Sequence, residues 1–363
     1  MTTIDRRHPS THRAAVNAHG AASSPTPTTG TPVTTALGPP GDGLDAGHRA
    51  SDGLLGHDNP LPSPPQPGVG PGLLGFLATG HLAATTTGGR AALPVTGHDV
   101  ASTSEAELGR LRASRDPRDQ RLANTIVNAR RAYADTLAQG GRVVVSQSPA
   151  NGGQPVLTLV PPGFDPSKPA RVHTHYHGWN STVADAPGHG TRRTENMQDI
   201  QRRDPQTLFV LPECSNAPTR GAGQSYKAAW SNVSDQARTT DDALRAAGVR
   251  PEQAREHVVS AHSAGGKALH FAMAAHPDGS GLRADRLQLF DCFYGDWDQA
   301  VRSWAGTANG RQASRVEYFH GTNDNPRGLS QGLQRAFGDR FRTTSDGNHD
   351  RTVARHLDQA LPD

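Results

Sequence analysis

Ser263 lies in a run of small residues that could expose its hydroxyl for nucleophilic chemistry. Ala261 stands two residues before it and Gly265 two residues after it, in the run Ala-His-Ser-Ala-Gly. A sharp turn between a strand and a helix leaves room only for small side chains at these two positions. At the apex of such a turn, the hydroxyl would sit above a helix N-terminus, where free N–H groups and the helix dipole favour negative charge. The alternative is a structural turn serine without chemistry.

A serine hydroxyl is a poor nucleophile at neutral pH, so it needs a base, and the base needs an acceptor that holds its tautomer. The candidate base is His349, which lies in a polar loop just before the last predicted helix. Two carboxylates could serve as the acceptor. Asp324 follows a predicted strand that ends at Phe319, and Asp291 closes an earlier strand. We favour Asp324, because its polar turn can deliver a side chain freely, whereas Asp291 precedes Cys-Phe-Tyr and is expected to be half-buried.

Apolar runs that alternate with helical patterns predict the elements that would position these residues. After residue 140, two strands separated by a turn come first, and later strands then alternate with helices. The strands are predicted near residues 142–145, 155–160, 171–177, 207–211, 257–262, 286–290 and 316–320. This alternation predicts an α/β fold with a mostly parallel central sheet flanked by helices. The first strand pair would form an antiparallel edge. Loops at the carboxyl ends of parallel strands share one edge of a sheet, which would bring Ser263 and both aspartates together.

The serine turn, and the order serine, acid, histidine along the chain, resemble the α/β-hydrolase superfamily, and serine esterases and lipases in particular. Alanine stands in the first glycine position of its G-x-S-x-G turn. The resemblance covers roughly residues 140–360 and implies an oxyanion hole. His177-Gly178 resembles the family's His-Gly, so the backbone N–H groups of Trp179 and Ala264 are the expected donors, and Gly178 lets the backbone approach. His262 is expected to line the pocket or to pack beside it. The resemblance implies no cofactor.

Three histidines at alternate positions, His173, His175 and His177, give a competing interpretation. They would share one face of a strand and could bind zinc. The outer two lie four residues apart, roughly 13 Å along a strand, which is too far for all three to reach one ion. We therefore predict no metal site.

The composition excludes several other classes of protein. The net charge is +3 over 363 residues, without a basic block, so nucleic acid is not an expected partner. Two cysteines, Cys214 and Cys292, fit no metal pattern and are expected to be unpaired thiols. No apolar run is long enough to span a membrane, and no ordinary secretory signal is visible. A cytoplasmic location and export by another route both remain open.

Residues 1–113 are predicted to be a disordered tail, and residues 114–363 the hydrolase domain. The first 100 residues are rich in Pro, Gly, Ser, Thr and Ala, and Phe76 is their only aromatic residue. Such a segment cannot bury enough apolar area to offset its chain entropy. Its proline-rich stretch at residues 60–67 is either a plain linker or a ligand for an aromatic-lined groove. A tail of this kind resembles the N-termini of bacterial effectors exported by specialised secretion systems.

These observations predict a serine hydrolase that cleaves an ester, or less favourably an amide, through an acyl-enzyme. About 25 residues separate the strand ending at Phe290 from the strand beginning at Val316, which is too short for a large lid. An open crevice suits a polar or polymeric acyl substrate better than a long lipid. The alternative from a different class is a catalytically silent scaffold of the same fold that binds a partner or a small ligand.

Overall fold

A computed structural model describes residues 95–178, 182–184, 192–214, 235–294, 296–321, 326–349 and 351–357. Nine strands in these residues form one sheet: β1 (Gly97–Asp99), β2 (Arg142–Gln147), β3 (Pro155–Val160), β4 (Ala170–Tyr176), β5 (Thr207–Pro212), β6 (Ala254–His262), β7 (Arg286–Phe290), β8 (Arg315–His320) and β9 (Phe341–Ser345). Ten α-helices are described: α1 (Glu105–Ala113), α2 (Pro117–Ala132), α3 (Ala134–Ala138), α4 (Arg192–Arg203), α5 (Gln236–Ala246), α6 (Gly265–Ala275), α7 (Trp297–Ala305), α8 (Ala308–Gln312), α9 (Pro326–Phe337) and α10 (Thr352–His356).

The sheet confirms the predicted fold class. Its order is β1-β2-β3-β5-β4-β6-β7-β8-β9. The first three strands pair antiparallel with their neighbours, and the strands from β5 across to β9 are parallel. Helices between the parallel strands cover both faces. This mixed sheet, with an antiparallel edge and a parallel body, is the arrangement expected of an α/β-hydrolase fold.

The core forms three apolar clusters against the sheet. Helices α6, α7 and α9 pack on one face of β6, β7 and β8, and Trp304 and Tyr318 are fully buried there. Helix α5 covers the same face near β2 to β5, through Ala243 and Leu244. On the opposite face, α2 packs against β2, β3 and β5, and Phe290 lies with Phe319 in the same cluster. The nine-stranded sheet is therefore buried on both sides over most of its length.

The folded domain begins earlier than Ser114, so the predicted boundary between a tail at 1–113 and a domain at 114–363 is wrong. Strand β1 pairs with β2 in the register Gly97 to Ser146. Val100 is fully buried, and Arg130 on α2 donates to its carbonyl oxygen. Helix α1 follows, capped by Ser104. The polar composition before residue 114 gave no signal for a three-residue strand and a nine-residue helix. Residues 1–94 lie outside the described part of the chain.

Two further differences from the sequence-based elements have local causes. The spacing of Leu122, Ile126, Tyr133 and Leu137 predicts one helix that ends at Gly140. The structure instead separates α2 from α3 at Tyr133, whose hydroxyl donates to the carbonyl oxygen of Val183. Strand β9 was not predicted. Its residues Arg342, Thr343, Thr344 and Ser345 are exposed, so the strand has no apolar alternation to reveal it. No helix in the described residues is long and apolar enough to cross a bilayer.

Candidate active site

Ser263 occupies the turn between β6 and α6, as the small-residue pattern predicts. Its backbone φ is +52°, a left-handed conformation that is uncommon for residues with a side chain. Its N–H donates to the carbonyl oxygen of Phe290 on β7, and its own carbonyl oxygen accepts from Gly266. The serine is partly exposed, whereas Ala264 after it is buried. The strained turn therefore lifts one hydroxyl out of a buried strand–helix junction.

The small residues around the serine are required by close backbone contacts. A Cβ on Gly265 would lie 2.5 Å from the carbonyl oxygen of Tyr176 at the end of β4. A Cβ on Gly266 would lie 1.9 Å from the carbonyl oxygen of Cys292. Contacts this short exclude any side chain, so α6 begins directly on the backbone of its neighbouring strands.

Gly178 lies directly against this turn. A Cβ on it would come within 2.9 Å of Nδ1 of His262 and 3.2 Å of Cβ of Ser263. The segment after β4 therefore approaches the serine closely, and it can do so because residue 178 has no side chain. Ala264 lies at the start of α6, where backbone N–H groups have no carbonyl partner within the helix. Trp179, the other expected donor, lies outside the described residues.

The imidazole of His349 pairs with Asp291. Nδ1 of His349 lies 2.6 Å from Oδ2 of Asp291, whose side chain is fully buried. An ionised carboxylate only accepts, so Nδ1 carries the proton and Nε2 is the basic nitrogen. Asp291 also has a positive φ, +42°, and its N–H donates to the carbonyl oxygen of Phe319. Asp324, the acid favoured from the sequence, lies outside the described residues.

Gly321 makes room for this pair. A Cβ at that position would lie 2.3 Å from Oδ2 of Asp291 and 3.1 Å from the backbone nitrogen of His349. Gly321 follows β8, so three loops at the carboxyl ends of β7, β8 and β9 meet here. This is the edge of the sheet at which the sequence predicted the site.

His262 joins the serine to the histidine loop. It precedes Ser263 and is almost fully buried. Its Nε2 lies 3.1 Å from the carbonyl oxygen of His349, and the two imidazole rings are 4.8 Å apart between centroids. Since a carbonyl oxygen only accepts, Nε2 of His262 carries a proton in this contact. The residue that the sequence placed in the pocket wall thus holds the backbone of His349.

The three histidines of the β4 segment contact two different side chains. His173 and His175 both hydrogen-bond the hydroxyl of Ser260, at 2.8 Å and 2.7 Å. His177 instead pairs with Glu213, with 2.9 Å between Nε2 and Oε1. Within the described residues, no group of three His, Cys, Asp or Glu side chains could hold a metal ion. Cys214 and Cys292 are both buried, and no disulfide bond joins them.

Sequence reasoning missed Glu213 and gave Asp291 second place. Asp291 is the one carboxylate directly after the apolar strand that ends at Phe290. This position was the sequence signal that it lies at the carboxyl end of the strand. Glu213 follows β5 at the same edge of the sheet, but no motif marks it. Its partner His177 was named from the His-Gly pair and from the three alternating histidines, but neither pattern indicates a carboxylate partner.

Comparison with known proteins gives similarities to solved hydrolase structures at low identity. No family model and no curated protein matches the sequence. A candidate thioesterase from a Silicibacter species is 13% identical, with 69% of this chain and 93% of that chain covered and a TM-score of 0.38. An S-formylglutathione hydrolase from Agrobacterium tumefaciens is 14% identical, with 60% and 92% covered and a TM-score of 0.37.

A ferulic acid esterase from Anaeromyces mucronatus is likewise 14% identical, with 60% of this chain and 88% of that chain covered and a TM-score of 0.37. TM-scores this low add nothing to what the strand order already shows. The reaction is therefore inferred from the residues of the site.

Proposed function

We propose that the chain is a serine hydrolase that cleaves an ester bond through an acyl-enzyme, with Ser263 as nucleophile, His349 as base and Asp291 as its acceptor. One observation carries the proposal. Ser263 stands at φ +52° on a buried turn, beside Gly178 and beside the histidine that holds the His349–Asp291 pair. A turn serine that served the fold alone would not need this arrangement.

In the first half of the reaction, the Ser263 hydroxyl attacks the acyl carbon and its proton passes to Nε2 of His349. The new O–C bond displaces the carbonyl electrons onto oxygen, and this oxyanion is stabilised by N–H groups of the Gly178 segment and of Ala264. The bond to the leaving alcohol then breaks, and the alcohol takes the proton from His349. Asp291 stays ionised and stabilises the imidazolium.

In the second half, water replaces the alcohol. It gives a proton to His349, attacks the acyl carbon and releases the carboxylic acid from Ser263 by the same steps in reverse order. The pairing of Nδ1 with Asp291 supports this cycle, because it keeps Nε2 available for both proton transfers. No step requires a metal or an organic cofactor.

A polar or polymeric acyl substrate is proposed rather than a long lipid, because the connection between β7 and β8 provides no lid. The connection between β7 and β8 consists mainly of α7 and α8, and buried residues of α7 such as Val301 and Trp304 belong to the core. This connection therefore covers the sheet and is not a lid over the serine. An ester is favoured over an amide, since an alcohol leaves more readily than an amine.

Hydrolysis of short p-nitrophenyl esters tests the proposal. We expect activity in the full chain and its loss, by at least about 10³-fold, in Ser263→Ala. Ser280→Ala is the matched control, because Ser280 is exposed and bonds only locally to Asp278 and His276. Equal activity in Ser263→Ala and the control would rule out the serine mechanism. A folded wild-type protein without activity on any ester would favour the silent scaffold.

A further inference from the structure

His177 and Glu213 form a buried pair directly behind Gly178, outside the reacting groups. Their side chains are 2% and 8% exposed, and Nε2 of His177 lies 2.9 Å from Oε1 of Glu213. His177 follows β4, and Glu213 follows β5, the neighbouring parallel strand. The proposed reaction uses neither side chain, so the pair needs a separate explanation.

The other nitrogen of His177 holds the backbone of Gly178. Nδ1 lies 2.9 Å from the Gly178 carbonyl oxygen, which only accepts, so Nδ1 must carry a proton. With Nε2 facing a carboxylate, both ring nitrogens are placed to donate, as an imidazolium does. Burial lowers the pKa of His177, but the charges and hydrogen bonds of Glu213 and Cys214 together raise that pKa well above its usual value. Burial raises the pKa of the neighbouring Cys214 thiol, which therefore stays neutral at physiological pH.

Glu213 connects this segment to two other parts of the domain. Its second carboxylate oxygen accepts from the N–H of Val183 at 3.1 Å. Its backbone carbonyl oxygen accepts from the side chain of Asn151 at 3.0 Å. Hydrogen bonds through His177 and Glu213 thus connect the Gly178 carbonyl oxygen to Val183 and Asn151, which are both buried.

We propose that His177 and Glu213 are a positioning pair, which fixes the orientation of the peptide unit at Gly178 beside Ser263. A peptide unit is planar, so holding its carbonyl oxygen fixes the whole unit. The inference rests on the proposed function, because this unit belongs to the segment that faces the oxyanion. A role in stability alone accounts poorly for the pair, since replacing a buried ion pair by apolar residues is often neutral or stabilising.

Two variants separate positioning from folding. His177→Leu combined with Glu213→Leu removes both charges together and leaves no unpaired buried ion. Glu213→Gln is the conservative variant, because a neutral amide can still accept from Val183 and donate to Nε2 of a neutral His177. We expect the double variant to remain folded and to lose about 10²-fold or more in kcat with little change in KM, as for removal of one oxyanion donor. Glu213→Gln should lose less than about tenfold.

A measurement independent of catalysis accompanies the kinetics. In ¹⁵N-histidine NMR at pH 8, one histidine of the full-length wild type should show both ring nitrogens protonated, and this signal should disappear in both variants. A wild type without ester hydrolysis would contradict the proposed function. An active wild type with an equally active, folded double variant would overturn the positioning role. A neutral His177 in the wild type would overturn the ion pair.

Discussion

Ser263 and Asp291 are the non-glycine residues with positive φ in the described part of the chain, at +52° and +42°. Backbone in this region costs on the order of 1–3 kcal/mol for residues with a Cβ, and it persists only where the surroundings enforce it. Here the two residues follow the adjacent strands β6 and β7, and Ser263 donates to the carbonyl of Phe290 next to Asp291. Both outliers therefore lie at one point of the sheet, where the proposed nucleophile and acceptor are required.

The choice between the two aspartates gives the sharpest prediction about a single residue. Asp291→Asn should keep the fold but lower kcat by about 10⁴-fold, because an amide would favour the wrong tautomer of His349. Asp324→Asn is the matched variant at the other candidate aspartate and should remain near wild type. Turnover of both proteins, with folding followed by circular dichroism, decides the assignment. If kcat falls strongly in a folded Asp324→Asn and stays near wild type in Asp291→Asn, the acceptor is Asp324.

The sequence could name the proposed nucleophile and base but could not choose between the two candidate acceptors. Gly265 and Gly266 indicate close contacts directly, because a side chain at either position would collide with backbone. No comparable local pattern distinguishes one aspartate after a parallel strand from another. Both candidate acceptors follow strands that end at the same edge of the sheet. The positive φ of Asp291 and the space left by Gly321 depend on tertiary contacts, which no local pattern encodes.

At the scale of elements, the site depends on how closely α6 begins against the ends of β4 and β7. The first residues of this helix contact backbone rather than side chains. A Cβ added at Gly266 would lie 1.9 Å from the carbonyl oxygen of Cys292, the residue after Asp291. The position of the helix is therefore coupled to the loop that carries the acceptor.

Gly266→Ala should destabilise the fold by about 1–3 kcal/mol or more and lower turnover, because Cys292 and its neighbour must move. Gly109→Ala is the control. Gly109 lies within α1 with nothing near its missing Cβ, so alanine there should gain up to about 1 kcal/mol. Urea unfolding of both variants gives the comparison. Equal stabilities would contradict the close packing at the start of α6.

The elements themselves were predictable where burial left a pattern. Strands β3 to β8 are almost fully buried, so their apolar runs revealed them. The edge strands β1 and β9 were missed because one is three residues long and the other is mostly exposed. The order of the strands in the sheet could not be predicted from local sequence patterns either, because it depends on which strands the crossover connections bring together.

At the scale of the whole molecule, the buried histidines make stability depend on pH. Burial lowers the pKa of His173 to about 3, and nearby Arg286 and Arg171 add to the effect. Burial also lowers the pKa of His257 to about 4, with Arg283 contributing in the same direction and Asp285 opposing it. Between these values and 6.5, the unfolded chain binds protons that the folded chain does not, so stability falls as the pH falls.

We expect the free energy of unfolding to drop by roughly 1.4 kcal/mol per pH unit for each of these histidines between pH 6.5 and 4. His257→Gln should reduce the slope by one such contribution. His177 acts in the opposite sense, because its raised pKa gives stability that is lost as the pH rises through that value. Urea unfolding from pH 7 to pH 4.5 measures the slopes, and identical slopes in wild type and variant would exclude a buried neutral His257.

The N-terminal boundary is tested by two truncations. Deleting residues 1–94 should leave ester hydrolysis and thermal stability nearly unchanged, because that segment is poor in apolar and aromatic residues. Deleting residues 1–103 also removes β1 and the fully buried Val100, whose side chain alone contributes about 1.5–3 kcal/mol. A large loss in the shorter deletion would show that residues 1–94 pack on the domain.

Covalent labelling of one serine distinguishes the proposed hydrolase from an inactive scaffold. The full-length protein is treated with a fluorophosphonate, and the modified residue is located by peptide mass spectrometry, with Ser263→Ala and Ser280→Ala alongside. We expect one adduct, on Ser263, in the wild type and in Ser280→Ala, and none in Ser263→Ala. A folded wild-type protein that stays unlabelled, or carries its label on another residue, would contradict it.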